Sequence, residues 1–151
     1  MGYLDYAVYV DEAFRLLGIN PEDARAAYPG CWSFERGSIK MMVMLNTTPT
    51  ADEDDEKGET ISFICKIMDV PRRRKRQFFQ RLLEFNHSFV NERFELFAGE
   101  VYLAACRFLK GLDPVEVASI MDEMSATADQ VKEMLLKEFE DAIDKRTTKS
   151  A

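Results

Sequence analysis

Residues 94–116 read FELFAGEVYLAACRFLKGLDPVE, and this stretch decides the fold. Two strand-like runs flank an Ala-Gly turn at residues 98–99, a pattern typical of a β-hairpin. Asp113-Pro114 then offers a capping side chain and a residue suited to the first helical turn, and Glu116 completes a capping-box arrangement. The stretch therefore predicts a hairpin that leads directly into a helix.

The helix that starts there carries one continuous apolar stripe. Its apolar residues recur at steps of three and four, which places them on one helical face. They are Val117, Met121, Met124, Ala128, Val131, Leu135, Phe139 and Ala142. A stripe of this length predicts a long helix that packs on the rest of the core.

Working toward the N-terminus, the same patterns predict a helix over 71–87 and strands over 60–68, 39–45 and 31–34. Helices are expected over 4–17 and, more briefly, over 20–27. The order is α-βββ-α-ββ-α, which predicts an α+β fold. We expect a single antiparallel sheet of about five strands, with three main helices packed on one face.

Length and composition favour one domain over residues 1–145, followed by a polar tail over 146–151. The chain has 151 residues, of which 46% are apolar and 31% are charged, and such a chain can bury a substantial core. The net charge of −7 argues against nonspecific nucleic-acid binding.

The sequence lacks the residue patterns of common catalytic and metal sites. His87 is the only histidine, the three cysteines are widely spaced, and no phosphate-binding loop is present. Cys65 and Cys106 lie on predicted strands, where we expect buried, inert thiols. These observations predict a protein without cofactor, metal or catalytic residues. The absence of a signal peptide and of a long apolar run predicts a cytoplasmic protein.

Two charge runs of opposite sign have several interpretations. The first is the acidic segment 52–59, and the second is the basic segment 72–76 at the start of a predicted helix. The two runs could be solvated or could neutralise one another. Alternatively, the chain could be a regulatory protein in which residues 72–76 contact an acidic partner or, less readily, nucleic acid.

A cluster of methionines on the predicted sheet is the most informative clue to function. Met42 and Met44 share a face with Lys40, and the alternation in residues 60–68 places Ile64 and Met68 on one face with Ser62 and Lys66. Each of these two strand faces therefore combines apolar and polar side chains. If they lie on an uncovered side of the sheet, they form an adaptable apolar contact surface. If helices cover both sides, they belong to the core.

The second half of the chain resembles a known family over residues 79–136. The residues that carry the resemblance are Leu82-Leu83-Glu84-Phe85-Asn86, Phe94-Glu95-Leu96, Gly99-Glu100-Val101-Tyr102-Leu103, Leu112-Asp113-Pro114-Val115-Glu116 and Thr127-Ala128-Asp129. They are similar to those of the bacterial YbjN-like proteins, which belong with the type III secretion chaperone-like (CesT/Tir chaperone) fold.

The resemblance implies a non-enzymatic protein-binding module, often dimeric, that binds a partner polypeptide along its surface. On this reading the chain is a homodimer with a protein partner and no membrane or cofactor. Together with the residue patterns, it makes Met42, Met44 and Ile64 the first candidates for partner contact. Arg73, Arg74 and Arg76 are the second group.

Overall fold

The hairpin and helix predicted from residues 94–116 are both present in the computed structural model, which describes residues 2–47 and 58–143. Strands β4 (Arg93–Phe97) and β5 (Glu100–Phe108) form the hairpin, and α4 (Pro114–Glu138) follows. The carboxylate of Asp113 accepts a hydrogen bond from the backbone N–H of Glu116 at 2.8 Å. This bond satisfies one of the unpaired N–H groups at the helix start.

The remaining elements precede this unit. They are a 3-10 turn (Tyr3–Tyr6), α1 (Ala7–Leu16), α2 (Pro21–Ala24), β1 (Cys31–Arg36), β2 (Ile39–Asn46), β3 (Thr60–Asp69) and α3 (Lys75–Ser88). A 3-10 turn (Glu140–Ala142) follows α4. The five strands form one antiparallel sheet in the order β1-β2-β3-β5-β4. The predicted α+β fold, with one antiparallel sheet and three main helices, is confirmed.

The core lies between one face of the sheet and the helices. On β2, β3 and β5 alternate side chains face the helices, and Val43, Phe63 and Leu103 at the centre of these strands are completely buried. Helix α4 packs against β1, β2 and β3, α1 packs on α4, and α3 packs on β4. All eight residues of the α4 stripe are buried, so that prediction is confirmed. We call the sheet face that carries these helices the inner face.

The predicted boundaries differ from the observed ones at several ends, and three of the differences have a local reason. The helix expected from residue 71 begins at Lys75, because Arg74 has a left-handed backbone with φ of +56°. The helix expected through residue 27 ends at Ala24, because Arg25 forms a β-bridge with Trp32 and its guanidinium donates to Asp11. The last helix changes to a 3-10 turn after Glu138, although Ala142 stays buried.

The predicted face of Met68 was also wrong. The pairing of β3 with β5 shifts register between Lys66 and Met68, so a β-bulge interrupts the strict alternation. Met68 therefore turns to the inner face opposite Val101 and is 7% exposed. It does not share the face of Ile64.

Some predictions fall on residues that the structure does not describe. The acidic segment lies outside the described residues up to position 57, as does the predicted tail over 146–151. Whether the acidic and basic runs meet is therefore not tested. In the described part of the chain, no helix combines the length and apolarity that crossing a bilayer requires.

Candidate functional site

The second face of the sheet, which we call the outer face, has no described helix packed on it. Its centre is an apolar band formed by neighbouring side chains of three strands. Met42 lies opposite Ser33 of β1 and Ile64 of β3, and Ile64 lies opposite Ala104 of β5. Met44 lies next along β2, so the three predicted contact residues are adjacent.

Exposure supports the view that this band is a surface and not a second core. Met42 is 41% exposed, whereas its sequence neighbour Met41 on the inner face is completely buried. Met44 and Ile64 are half-buried. Of the two alternatives that the sequence left open, the uncovered sheet face is therefore the one observed for Met42, Met44 and Ile64.

A network of charged and polar side chains borders the band on one side. Lys66 Nζ lies 3.0 Å from a carboxylate oxygen of Glu100 and 3.2 Å from one of Asp69. The hydroxyl of Tyr102 donates a hydrogen bond to Glu100. On β4, Arg93 and Glu95 form an ion pair at 2.9 Å. The apolar band thus has a polar rim, as protein-binding surfaces commonly do.

The protonation states of this rim are mutually stabilised. The hydrogen bond from Tyr102, followed by that from Lys66, lowers the pKa of Glu100. The bond to Glu100 in turn raises the pKa of Lys66 and that of Tyr102. Near neutral pH the rim therefore holds a carboxylate that is satisfied by its own neighbours. On the outer face, the apolar band and not this network is therefore the surface that gains most from being covered.

The basic run lies elsewhere, at the start of α3. Arg73 donates to the backbone carbonyl of Asp141. Arg74 donates to the carbonyl of Glu138 at 3.2 Å and to the carboxylate of Asp141 at 2.8 Å. The Arg74 guanidinium also lies 4.8 Å from the centre of the Phe139 ring. Both arginines thus hold the end of α4, so this part of the basic run is paired within the molecule, through contacts with Glu138 and Asp141.

Arg76 differs from these two arginines. It is exposed on the first turn of α3, and it makes no hydrogen bond or ion pair with the rest of the described chain. The structure does not bring Arg73, Arg74 and Arg76 together with the methionines. The two groups of predicted contact residues lie on different elements, one on the outer face and one beside α4.

The cysteines lie in three different environments, and none forms a disulfide. Cys65 faces the core, and burial raises the pKa of its thiol to about 12. The prediction of a buried, inert thiol is confirmed for this residue. It was wrong for Cys106, which is exposed on the outer face, because its position in β5 has the opposite side-chain orientation. Cys31, on the same face, is half-buried.

A second apolar surface was missed by the sequence analysis. Leu83 of α3 is 68% exposed, and Leu96 and Phe97 of β4 are 52% and 74% exposed. Phe79, one helical turn before Leu83, lines a groove of about 480 Å³ together with Leu96 and Phe97. We call Phe79, Leu83, Leu96 and Phe97 the α3–β4 patch. The sequence does contain one sign of this surface, because the predicted helix has apolar residues on more than one side.

The strand edge beside this patch is partly closed. The backbone N–H of Phe94 donates to the side-chain oxygen of Asn86 at 2.7 Å, and the Asn86 amide donates back to the Phe94 carbonyl at 3.4 Å. Asn86 therefore occupies the position that a neighbouring strand would take. This arrangement limits further strand addition at β4, while the side chains of the patch stay accessible.

No arrangement suited to binding a metal ion is present in residues 2–47 and 58–143: they hold no cluster of three or more His, Cys, Asp or Glu side chains. His87 is exposed at the end of α3.

Comparison with known proteins identifies a fold but not a family. No protein-family profile matches the sequence, and no curated protein matches it. Among solved structures, the backbone is similar to one chain of the heterodimeric complex ExoU–SpcU from the type III secretion system of Pseudomonas aeruginosa. The TM-score is 0.58 at 13% sequence identity, and the match covers 83% of this chain and 96% of that chain. The chain thus has a type III secretion chaperone-like fold.

Proposed function

We propose that this chain is a non-enzymatic, chaperone-like module that binds a partner polypeptide on the outer face of its sheet. The observation that carries this proposal is the apolar band of Met42, Met44 and Ile64 on a face without a described helix. Its fold is similar to that of a chain that occurs in a heterodimeric complex, which is consistent with partner binding. Kinship with the YbjN-like proteins in particular stays a prediction.

Methionine suits such a surface for a physical reason. Its unbranched, polarisable side chain adopts many shapes at low cost, so one surface can accommodate partner segments of different sequence. The rim network is satisfied internally, and burial of the band by a partner would therefore supply most of the affinity. Each apolar side chain fully removed from water contributes roughly 1.5–3 kcal/mol.

The experiment compares polypeptides that co-purify with the tagged chain from its native host. The test variant carries Met42→Asp and Met44→Asp, and the matched control carries Met134→Asp. Met134 is 40% exposed on α4 and lies away from the outer face. We expect the double variant to lose specific partners that the control retains. Equal capture by both variants would contradict the proposal.

A second role for the basic helix start is kept as an alternative. On that view residues 72–76 contact an acidic partner or nucleic acid, and Arg76 is the side chain best placed to do so. Such binding should weaken steeply as salt rises, because each phosphate contact releases counterions. Absence of binding to single- and double-stranded oligonucleotides at low salt would eliminate the nucleic-acid form of this alternative.

We further propose that the chain forms a homodimer through the α3–β4 patch. Exposed apolar surface of this kind commonly marks an interface between proteins.

The proposed unit is one domain over residues 1–145 with a polar tail over 146–151. The proposed compartment is the cytoplasm, where reducing conditions keep thiols free.

A further inference from the structure

Within residues 2–47 and 58–143, the solvent-accessible side chains that contain sulfur are concentrated on the outer face. Five Met or Cys side chains of the described residues are exposed or half-buried, and four of them lie on this face. These four, which we call the outer-face sulfurs, are Cys31, Met42, Met44 and Cys106. The fifth, Met134, lies on α4. Met41, Met68, Met121, Met124 and Cys65 are all buried.

The register places the outer-face sulfurs in two neighbouring rows across the sheet. Met44 lies opposite Cys31 on one side and Ser62 on the other, and Ser62 lies opposite Cys106. The backbone N–H of Leu45 donates to the Gly30 carbonyl at 2.8 Å. The next pair, Cys31 and Met44, is therefore of the non-hydrogen-bonded type, in which side chains approach most closely. Met42 lies two residues along β2, on the same face.

We propose that the outer face is an oxidation site at which hydrogen peroxide converts Met42 and Met44 to methionine sulfoxide. In this step the thioether sulfur attacks one peroxide oxygen and the O–O bond breaks. A new S–O bond forms, and the other oxygen leaves as water after proton transfer. The sulfur is oxidised by two electrons and the peroxide is reduced by two. Reductases specific for methionine sulfoxide reverse the change.

Oxidation at these positions changes the chemistry of the band. A sulfoxide is polar and accepts hydrogen bonds from water, whereas the thioether is apolar. A partner that covers the band would have to remove that water without replacing its hydrogen bonds. Oxidised chain is therefore expected to bind its partner more weakly. This consequence rests on the proposed function, while selective oxidation of Met42 and Met44 does not.

Selectivity is tested on the full chain with ¹³C-labelled methionine methyl groups and stepwise addition of hydrogen peroxide. NMR signals and peptide mass mapping report each methionine separately. We expect Met42 and Met44 to oxidise roughly tenfold faster than the buried Met41 and Met121, because reaction requires access of the peroxide. Met41 is an internal control, since it is adjacent to Met42 in sequence and completely buried. Equal rates for Met41 and Met42 would overturn the proposal.

The effect on binding is measured with 8-anilinonaphthalene-1-sulfonate, an anionic dye whose aromatic rings bind exposed apolar surface. Changes in the Met42 and Met44 methyl signals show whether the dye binds at the outer face. Oxidation should weaken dye binding at this face by roughly tenfold, as expected when a buried polar group loses its hydrogen bonds. The control variant Met42→Leu/Met44→Leu keeps an apolar band without thioether groups. It shares Cys31 and Cys106 with the wild type, so its dye affinity should fall much less than that of the wild type.

Three results would overturn the coupling between oxidation and binding. One is an equal loss of dye affinity in both chains, and another is an unchanged affinity in the oxidised wild type. The third is a dye that leaves both methyl signals unaffected. Failure of the proposed function alone has a different signature. Met42 and Met44 would then oxidise selectively, but the Met42→Asp/Met44→Asp variant would still capture every partner.

Discussion

A single glycine shows how closely the β1–β2 hairpin is fitted to α4. Gly37 lies at the hairpin tip with φ of +58°, and a Cβ atom there would lie 2.7 Å from a carboxylate oxygen of Asp129. That carboxylate accepts hydrogen bonds from the backbone N–H of Ser38 at 3.1 Å and from its hydroxyl at 2.9 Å. Hydrogen bonds from Ser38 lower the pKa of Asp129. The tip is therefore held against α4 at a position that leaves no room for a side chain.

Replacement of Gly37 by alanine should destabilise the fold for two reasons. Alanine is strained in the left-handed region, which costs about 1–2 kcal/mol. Its methyl group would also displace Asp129 and weaken the hydrogen bonds to Ser38, which adds roughly 1 kcal/mol. Gly111→Ala is the matched control, because Gly111 has φ of +81° and open space around it. Urea unfolding followed by Trp32 fluorescence measures both free energies, and equal losses would contradict the role of the contact.

The buried thiol of Cys65 makes a prediction about alkaline pH. Its pKa is about 12 in the folded chain against an ordinary value of 9.0, because burial disfavours the thiolate. Between these values the folded chain keeps a proton that the unfolded chain loses, so the free energy of unfolding falls as pH rises. This contribution is fully present below pH 9 and decreases by at most about 1.4 kcal/mol per pH unit above it.

The measurement compares the free energy of unfolding at pH 8 and pH 10 in three chains. Wild type and the control Cys106→Ala should fall by similar amounts, since Cys106 is exposed. Cys65→Ala should fall less, whatever its stability at pH 8. Parallel curves for all three chains would show that Cys65 titrates normally.

At the scale of the elements, the contact between α3 and α4 is fixed by arginines of the basic run. Arg74 pairs with the end of α4, and Arg81 of α3 adds an ion pair with Glu138 at 3.1 Å. The ring of Phe78 packs edge-on against Phe139, with ring centres 5.1 Å apart. The carbonyls of Glu138 and Asp141 accept hydrogen bonds from Arg74 and Arg73, which supplies partners that the carbonyl end of a helix otherwise lacks.

Arg74→Ala should therefore lower the free energy of unfolding by about 1–2 kcal/mol, through lost hydrogen bonds and the lost contact with Phe139. Alanine keeps the strained backbone of Arg74, so the loss reports the side chain alone. Arg74→Gly should cost less, because glycine relieves the strain. Arg76→Ala is the control, and we expect a change within about 0.5 kcal/mol for this exposed residue. Equal losses for Arg74→Ala and Arg76→Ala would show that Arg74 does not stabilise α4.

The elements also show what the sequence could and could not predict. Alternation and helical periodicity located every main helix and strand, because one buried face imposes its period on the residues. The side of Met68 could not be predicted, since a bulge adds one residue to β3 without a glycine or proline to mark it. The exposure of Leu83 could not be predicted, because its apolar character fits a core helix as well as an interface. Only the packed structure distinguishes the two.

At the scale of the whole molecule, the two apolar surfaces are far enough apart to be occupied together. The methionine band is centred on β2 and β3, whereas the α3–β4 patch lies at the β4 edge, with β5 between β3 and β4. Neighbouring strands lie about 4.8 Å apart, so β2 and β4 are separated by roughly 14 Å. A dimer through the β4 edge would leave both outer faces open. Each dimer would then offer two partner-binding surfaces.

This arrangement predicts that dimerisation and partner binding can be removed separately. Leu83→Glu combined with Phe97→Glu places a charge on each side of the patch, and desolvating these charges at an interface is costly. We expect the wild type to have twice the 17.4 kDa mass of the chain in sedimentation equilibrium, and the double variant to have the monomer mass. Circular dichroism verifies that the variant is folded.

Two controls separate the patch from a general effect of added charge. Val8→Glu changes a residue of α1 that is 67% exposed, and Met42→Asp/Met44→Asp changes the outer face. Both should stay dimeric, because neither position contacts the patch, and only the second should lose partners. A wild type that is monomeric at micromolar concentration would contradict the dimer. Dissociation by Val8→Glu would place the interface on α1, and dissociation by the methionine variant would place it on the outer face, where it would compete with the partner.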